Sequence, residues 1–462
     1  MKTGFVFLIM WCMFHVTVFG QKLQYSRDQI KDPGGDALQL VANIGGFHHL
    51  VSYETKRKPV IYIFNSQLQL VTKKELNMIL NENCDINITA FKNHYIIYFH
   101  VPGKSHHQLF RVNSEGASKD ISTFNSHPGD TLWSRSIATF QLFNIKEELF
   151  ILSHTYYDAI KNISSIVVKV NSENKPVVIN KFLLPFDQDE EALKQVTLDG
   201  DHLMVLKTTR HAEKGNSLGL FKIDLSTKHI MTKYFESGKH VYLSPTFHFN
   251  LQDPGVIVYS MLTEPAGYKK KEPAVLISRL GDSLQELTPT TILRSQFKDK
   301  TASNFVLINE SGATWINLAI TKNFWRTQDN LVINDPDIAA SYANNYAVPA
   351  GIRFSLLNKE LKFINDSLVN NDGKYYNIEL SPFVQFRLSG TPYLLLIQNF
   401  TSTKKGLLLV RPGGNGILVT SDINVNHRYN FLLRQLRVGD DQYFIIPYKF
   451  KGEIGLLKIN MK

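Results

Sequence analysis

A short phrase returns along the 462-residue chain. Residues 109–116 read LFRVNSEG, 167–173 read VVKVNSE, 220–226 read LFKIDLS, and the chain ends on LLKINMK. Apolar residues lead to a Lys or Arg, then Val or Ile, then Asn or Asp. Taking Asn65, Asn113, Asn171, Asp224, Gly281, Asn358, Arg411 and Asn460 as equivalent points gives successive gaps of 48, 58, 53, 57, 77, 53 and 49 residues. A repeat of this period limits the fold strongly. Each unit is too small to bury its own apolar faces, so neighbouring units must stack.

The units read as four strands, A to D, joined by turns of Gly, Asn, Asp and Ser. One unit is ITAF, turn KN, HYIIYFHV, loop PGKSHH, QLFRVN, turn SEG, ASKDIST. Another is LKQVTL, turn DGD, HLMVLKTTR, a loop, LGLFKID, turn LSTK, HIMTKYF. The inner strands are nearly continuous apolar runs, as sheets packed on both faces require, and helical periodicity is almost absent. Over its whole mature length the chain resembles the β-propeller superfold. It lacks the Trp-Asp ending of WD40 repeats and matches no named propeller family. The expectation is an all-β, eight-bladed propeller, with seven blades as the alternative if the unit around 302–367 is built differently. The last unit stops after its third strand, and residues 22–27 (KLQYSR) supply a spare one. Pairing the two would close the ring and remove exposed sheet edges.

Met1 and Lys2 precede an apolar run from Gly4 to Val18, with small residues at Val18 and Gly20. This reads as a signal peptide over residues 1–20, with Gln21 as the mature start and residues 21–462 as one propeller domain. An uncleaved anchor helix is the alternative. No later stretch is apolar enough to span a bilayer. Of two cysteines, Cys12 lies in the leader, so Cys84 has no partner in the mature chain. An exported protein without disulfides, in this Asn- and Lys-rich style, is similar to secreted envelope proteins of Bacteroidota-type bacteria. That places it in the periplasm, at the outer membrane or on the cell surface, touching membrane only through a partner. The net charge of +10 favours acidic partners without demanding nucleic acid.

In a propeller the B–C loops share one face with the D–A links, and here the B–C loops are basic. Lys104, Arg210, Lys269, Lys270 and Lys271 belong to them, and Arg326 to the sixth. That sixth loop is an insertion at about 321–351, too long for a plain connection. Phe324, Trp325, Tyr342 and Tyr346 argue that it is ordered, and Asp335-Pro336 opens a candidate helix over 336–345. These ten residues form the expected partner-binding set.

Chemistry is sparse. GNSLG (215–219) fits the nucleophile-elbow pattern but feeds a strand rather than a helix. His48 and His49 are adjacent in a strand and must point to opposite faces. His106-His107 and the Asn334–Asp337 stretch lack further ligands, so no cofactor or metal is expected. The residues therefore point to an exported, non-enzymatic binding or scaffold module for an envelope protein complex or an anionic glycan. A hydrolase or lyase acting on an anionic polysaccharide at the propeller axis, with Tyr156, Tyr157 and Asp158 beside His154, is the alternative.

Overall fold

The structure is a computed structural model of the full chain. It describes residues 21–34, 37–54, 57–77, 85–100, 106–125, 138–157, 161–170, 176–187, 189–211, 215–236, 240–249, 255–263, 274–294, 300–309, 312–323, 347–370, 383–399, 405–412, 418–440 and 442–461. Residues 1–20, read above as a signal peptide, Cys84 and residues 324–346 of the expected insertion lie outside them.

The fold is an all-β propeller. Seven regular four-stranded antiparallel blades, the lower of the two counts the sequence allows, span 38–75, 85–125, 138–185, 191–236, 241–294, 300–370 and 383–423. An eighth, six-stranded sheet built from both chain ends completes the ring. It has the plan of a blade with two broken edges. Tyr443–Phe450 and Glu453–Asn460 are its strands B and C. Strand A is split into Asn430–Phe431 and Arg437–Asp440 around a 3-10 turn at Leu433–Gln435. Strand D is split into Lys22–Tyr25 and Ile30–Lys31, both paired with strand C. The expected N-terminal closing strand is therefore present, in the register Lys22 to Asn460. The weak sixth unit is a complete blade. Its strands B and C reach Asn323 and start at Ala347, so both ends of the expected insertion are strand rather than loop.

Among the described residues, buried apolar side chains fill the gaps between neighbouring sheets. Ile30, Leu40, Leu50, Tyr443 and Leu456 fill the gap between the closing sheet and blade 1. Val51, Ile61, Tyr95 and Ile97 fill the next. The same arrangement recurs between blades 2 and 3, 3 and 4, 4 and 5, and 5 and 6, and Leu395, Leu409, Phe444 and Leu457 lie between blade 7 and the closing sheet. Inner strands such as Phe47–Ser52 and Glu453–Asn460 contribute side chains to both neighbouring gaps, which explains their unbroken apolar runs.

The recurring Asn is a turn device. The Asn113 carboxamide oxygen accepts from the N–H groups of Glu115 and Ala117, and Gly116 N–H returns to the Asn113 carbonyl. Asn65 does the same for Gln67 and Gln69, and Asn358 for Lys362. These are three-residue hairpins whose last loop residue has positive φ. Glycine would suit that place, yet it is Leu68 (φ 57), Leu284 (φ 59) and Leu361 (φ 59) in three blades. All three leucines are buried between their own blade and the preceding one. In blade 2 the equivalent Gly116 has no room for a side chain, because a Cβ there would meet Ile63 of blade 1 at 2.4 Å.

In three units the recurring Lys or Arg grips the next blade, whereas Arg111 and Lys169 pair within their own blades, with His94 and Glu148. Lys222 of blade 4 donates to the Asp282 carbonyl at 3.0 Å and to its carboxylate. Arg279 of blade 5 reaches the Lys359 carbonyl at 3.2 Å, and Lys458 of the closing sheet reaches the Ser66 carbonyl at 3.5 Å. Each acceptor is the first residue of the neighbour's C–D turn. Blade 1 has Ile63 in place of the cation, and His49 Nε2 makes the equivalent bond to the Ser114 carbonyl at 3.0 Å. Asn113→Ala deletes two turn hydrogen bonds while leaving the core intact. It is expected to cost about 1–2 kcal/mol, read as a lower urea midpoint with unchanged m-value.

Candidate functional site

The expected basic face is partly neutralised where it is described. Lys207 is held by Glu191 at 2.8 Å, Lys161 by Asp187 at 2.6 Å, Arg57 by Glu54 at 2.7 Å and Lys449 by Asp32 at 2.9 Å. The carboxylates of Asp32, Asp187 and Glu191 come from the D–A side of the same face, which a survey of B–C loops alone overlooks. Of the ten expected partner-binding residues only Arg210 is described. It is exposed at the end of strand B of blade 4, with its N–H donated to the Glu190 carbonyl. Lys104, Lys269, Lys270, Lys271, Phe324, Trp325, Arg326, Tyr342 and Tyr346 lie outside the described residues.

On that face of the closing sheet sits an aromatic cluster that sequence reading does not single out. Strand B ends in Tyr448-Lys449-Phe450, and the link into strand A contains Tyr429-Asn430-Phe431. Period-two spacing puts both aromatics of each triplet on one side of its strand, and Phe431 pairs directly with Tyr448. The rings of Tyr429 and Tyr448 stack at 4.2 Å, 11° apart. Phe450 meets Tyr429 edge-on at 5.2 Å. Tyr25, from the other end of the chain, meets Tyr429 at 5.5 Å and Tyr448 at 5.8 Å, both edge-on. Offset and edge contacts of this kind are the favoured aromatic geometries.

Hydrogen bonds fix the rings. The Tyr25 hydroxyl accepts from Asn426 N–H at 3.1 Å, and Gln29 donates to the Tyr448 hydroxyl at 3.3 Å. Burial raises the pKa of both phenols, which keeps both neutral around pH 7. Gly455, opposite Tyr448, leaves the space its ring occupies, since a Cβ would come within 2.4 Å of that ring. Tyr448 is buried, whereas Tyr25, Tyr429 and Phe450 are partly open. Around them Arg428 and Lys451 are exposed, with Lys451 Nζ 5.3 Å from the Phe450 ring centre. The result is a partly open aromatic platform with cations at its rim.

His48, His49, His154 and Ser217 all sit within blade strands. His154 Nδ1 lies 2.7 Å from the Ser165 hydroxyl, which has the look of a base and its nucleophile. Both side chains are buried, on the strand faces that meet blade 4. Ser217 of the GNSLG stretch lies within the strand Gly215–Asp224, so it has no elbow. His48 and His49 do face opposite gaps, toward Tyr443 of the closing sheet and Tyr95 of blade 2. Among the described residues, no three His, Cys, Asp or Glu side chains are grouped to hold a metal, and no helix is long and apolar enough to cross a membrane.

No protein-family model matches the chain, and no curated protein does. Solved structures resemble it in fold. An oligogalacturonate lyase in complex with manganese is 8% identical with a TM-score of 0.43, covering 96% of this chain and 98% of that one. An apocarotenoid oxygenase mutant from Synechocystis is 11% identical with a TM-score of 0.34, over 59% of this chain. The match spans only 62% of the oxygenase. A GH43 endo-arabinanase from Bacillus licheniformis is 11% identical with a TM-score of 0.25, over 54% of this chain and 96% of that one. At these identities the likeness concerns the fold alone.

Proposed function

We propose that the protein is an exported, non-catalytic binding module of the cell envelope that captures an acidic glycan on the closing sheet. The aromatic platform of Tyr25, Tyr429, Tyr448 and Phe450 carries this reading. A flat, rigid, partly open stack suits the apolar face of a sugar ring, because aromatic side chains offer large contact area at small entropic cost. Arg428 and Lys451 at the rim suit a carboxylate or sulfate, with Arg428 able to bind it through two parallel hydrogen bonds. The burial of the His154–Ser165 pair favours binding over hydrolysis.

A screen of neutral and acidic oligosaccharides by calorimetry tests this. An acidic sugar is expected to bind without being cleaved. Tyr429→Ala is expected to weaken it about 5- to 30-fold, the equivalent of losing about 1–2 kcal/mol of stacking. Raising salt from 0.05 to 0.5 M should weaken it further, since exposed charges are screened. Equal affinity for a neutral analogue, or sugar cleavage, would refute the reading.

A further inference from the structure

Resting on that reading, we infer that the N-terminal segment is a dockable wall of the platform, so that sealing of the ring and capture of the acidic glycan are one linked equilibrium. Residues 22–32 supply the Tyr25 ring, the Gln29 amide at the Tyr448 hydroxyl, and the Asp32 carboxylate that holds Lys449. Their partners stand at 426–449, more than 390 residues away. The Tyr25 hydroxyl also pins Asn426, and so fixes the link that carries Arg428 and Tyr429. With the segment undocked, Tyr429 keeps only Tyr448 and Phe450 as ring partners, and Lys449 loses its carboxylate.

The backbone of the segment is held by short pairings. It pairs along one edge only, through four residues at Lys22–Tyr25 and two at Ile30–Lys31. Between them the ladder is replaced by Ser26, whose N–H donates to the Leu456 carbonyl at 2.8 Å and whose hydroxyl accepts from Leu456 N–H at 2.9 Å. Toward blade 1, Gln24 donates to the Gln67 carbonyl at 2.7 Å, Asp28 accepts from Leu70 N–H at 2.9 Å, and Ile30 is buried in the cluster that holds Leu40 and Leu50. Short edge pairings of this kind open locally at free energies below that of global unfolding. A ligand that binds only the docked state suppresses opening in proportion to its saturation. At a hundred times its Kd, opening falls about 100-fold.

Hydrogen exchange of the full mature protein, read by mass spectrometry, tests this in two arms. The first uses no ligand. Leu23→Asp is expected to undock the segment, and Tyr25→Ala to remove only its ring and hydroxyl. Both should speed exchange at 424–431 at least about 10-fold, while blade 4 at 203–223 stays as protected as in the wild type. Exchange at 424–431 unchanged in both variants overturns the inference, whatever any ligand does. The second arm adds a uronic-acid tetrasaccharide. Slowed exchange at 22–31 in the wild type supports the linkage, and binding with no change there overturns it. If the tetrasaccharide does not bind, the glycan reading fails, and the ligand-free arm still decides whether the N-terminal segment builds the platform.

Discussion

Between pH 6.5 and about pH 4 the protein is expected to lose most of its stability, because it folds around neutral histidines. His48, His49 and His154 are buried, and burial lowers their pKa values to about 3, 4 and 4. Lys458 pushes His48 down further, while the Ser114 carbonyl works in the opposite direction on His49. Two of the rings cannot easily accept a second proton. His48 Nδ1 already accepts from Asn43 N–H, and its Nε2 has no partner within the seam. His154 Nε2 is likewise buried without one. The sign follows from proton counting. Unfolded histidines take up a proton near pH 6.5, whereas these folded ones resist until pH 3–4. Above pH 6.5 nothing is lost. Below it the unfolded state gains protons that the folded state lacks, and the loss stops once the folded rings titrate too. The slope is about 1.4 kcal/mol per pH unit for each histidine, ~4 kcal/mol per unit for the three near pH 5. Against a total of roughly 5–15 kcal/mol, that suffices to unfold the chain in mild acid. Urea midpoints measured from pH 7.5 to 4.5 should fall steeply, and His154→Gln should remove about one third of the slope. A flat profile would show that these rings are charged or solvated.

Leu68→Ala is the single substitution expected to cost most, about 2–5 kcal/mol, although Leu68 sits in a turn. Its side chain is fully buried between blade 1 and the closing sheet, held there by a backbone that L-residues disfavour. Lys146→Gly is the complementary test. Lys146 has the same left-handed backbone (φ 52) but is exposed in the A–B turn of blade 3. With no burial to offset the strain, glycine should stabilise it by about 1 kcal/mol. Thermal or urea unfolding of the two variants should move in opposite directions. If Leu68→Ala is as mild as a surface change, the turn leucines do not hold the blades together.

The architecture was legible because its marker is local. An Asx-type turn needs its Asn or Asp at one fixed place after strand C, so the pattern shows in any one blade and recurs in most. The function of the basic residue two places earlier was not legible, because its acceptor is a carbonyl in the next blade. Side chains disclose nothing about which backbone oxygen will face them. His49 shows the point well: it does the work of a lysine from a different strand. Arg111, the cation of LFRVNSEG, is exposed, as a reading of that unit alone suggests. The aromatic platform was missed for another reason. Tyr25 sits some 400 residues from Tyr429, and only the spacing of Tyr429-Asn430-Phe431 and Tyr448-Lys449-Phe450 hinted that two strands offered rings on one side. Attention to B–C loops also overstated the positive charge of the face, since the neutralising carboxylates arrive through other connections.

The grip of one blade upon the next has a direction, and that direction meets the order of synthesis. Lys222, Arg279 and His49 each need a turn that follows them in the chain, so as the polypeptide emerges each must wait for its receptor to be made. Among these described grips, Lys458 has a partner already waiting, Ser66, made 392 residues earlier. The circle therefore cannot be sealed by any intermediate length of chain. It stays an open spiral until the strand Glu453–Asn460 has been made, and Lys458 then joins a late strand to an early one.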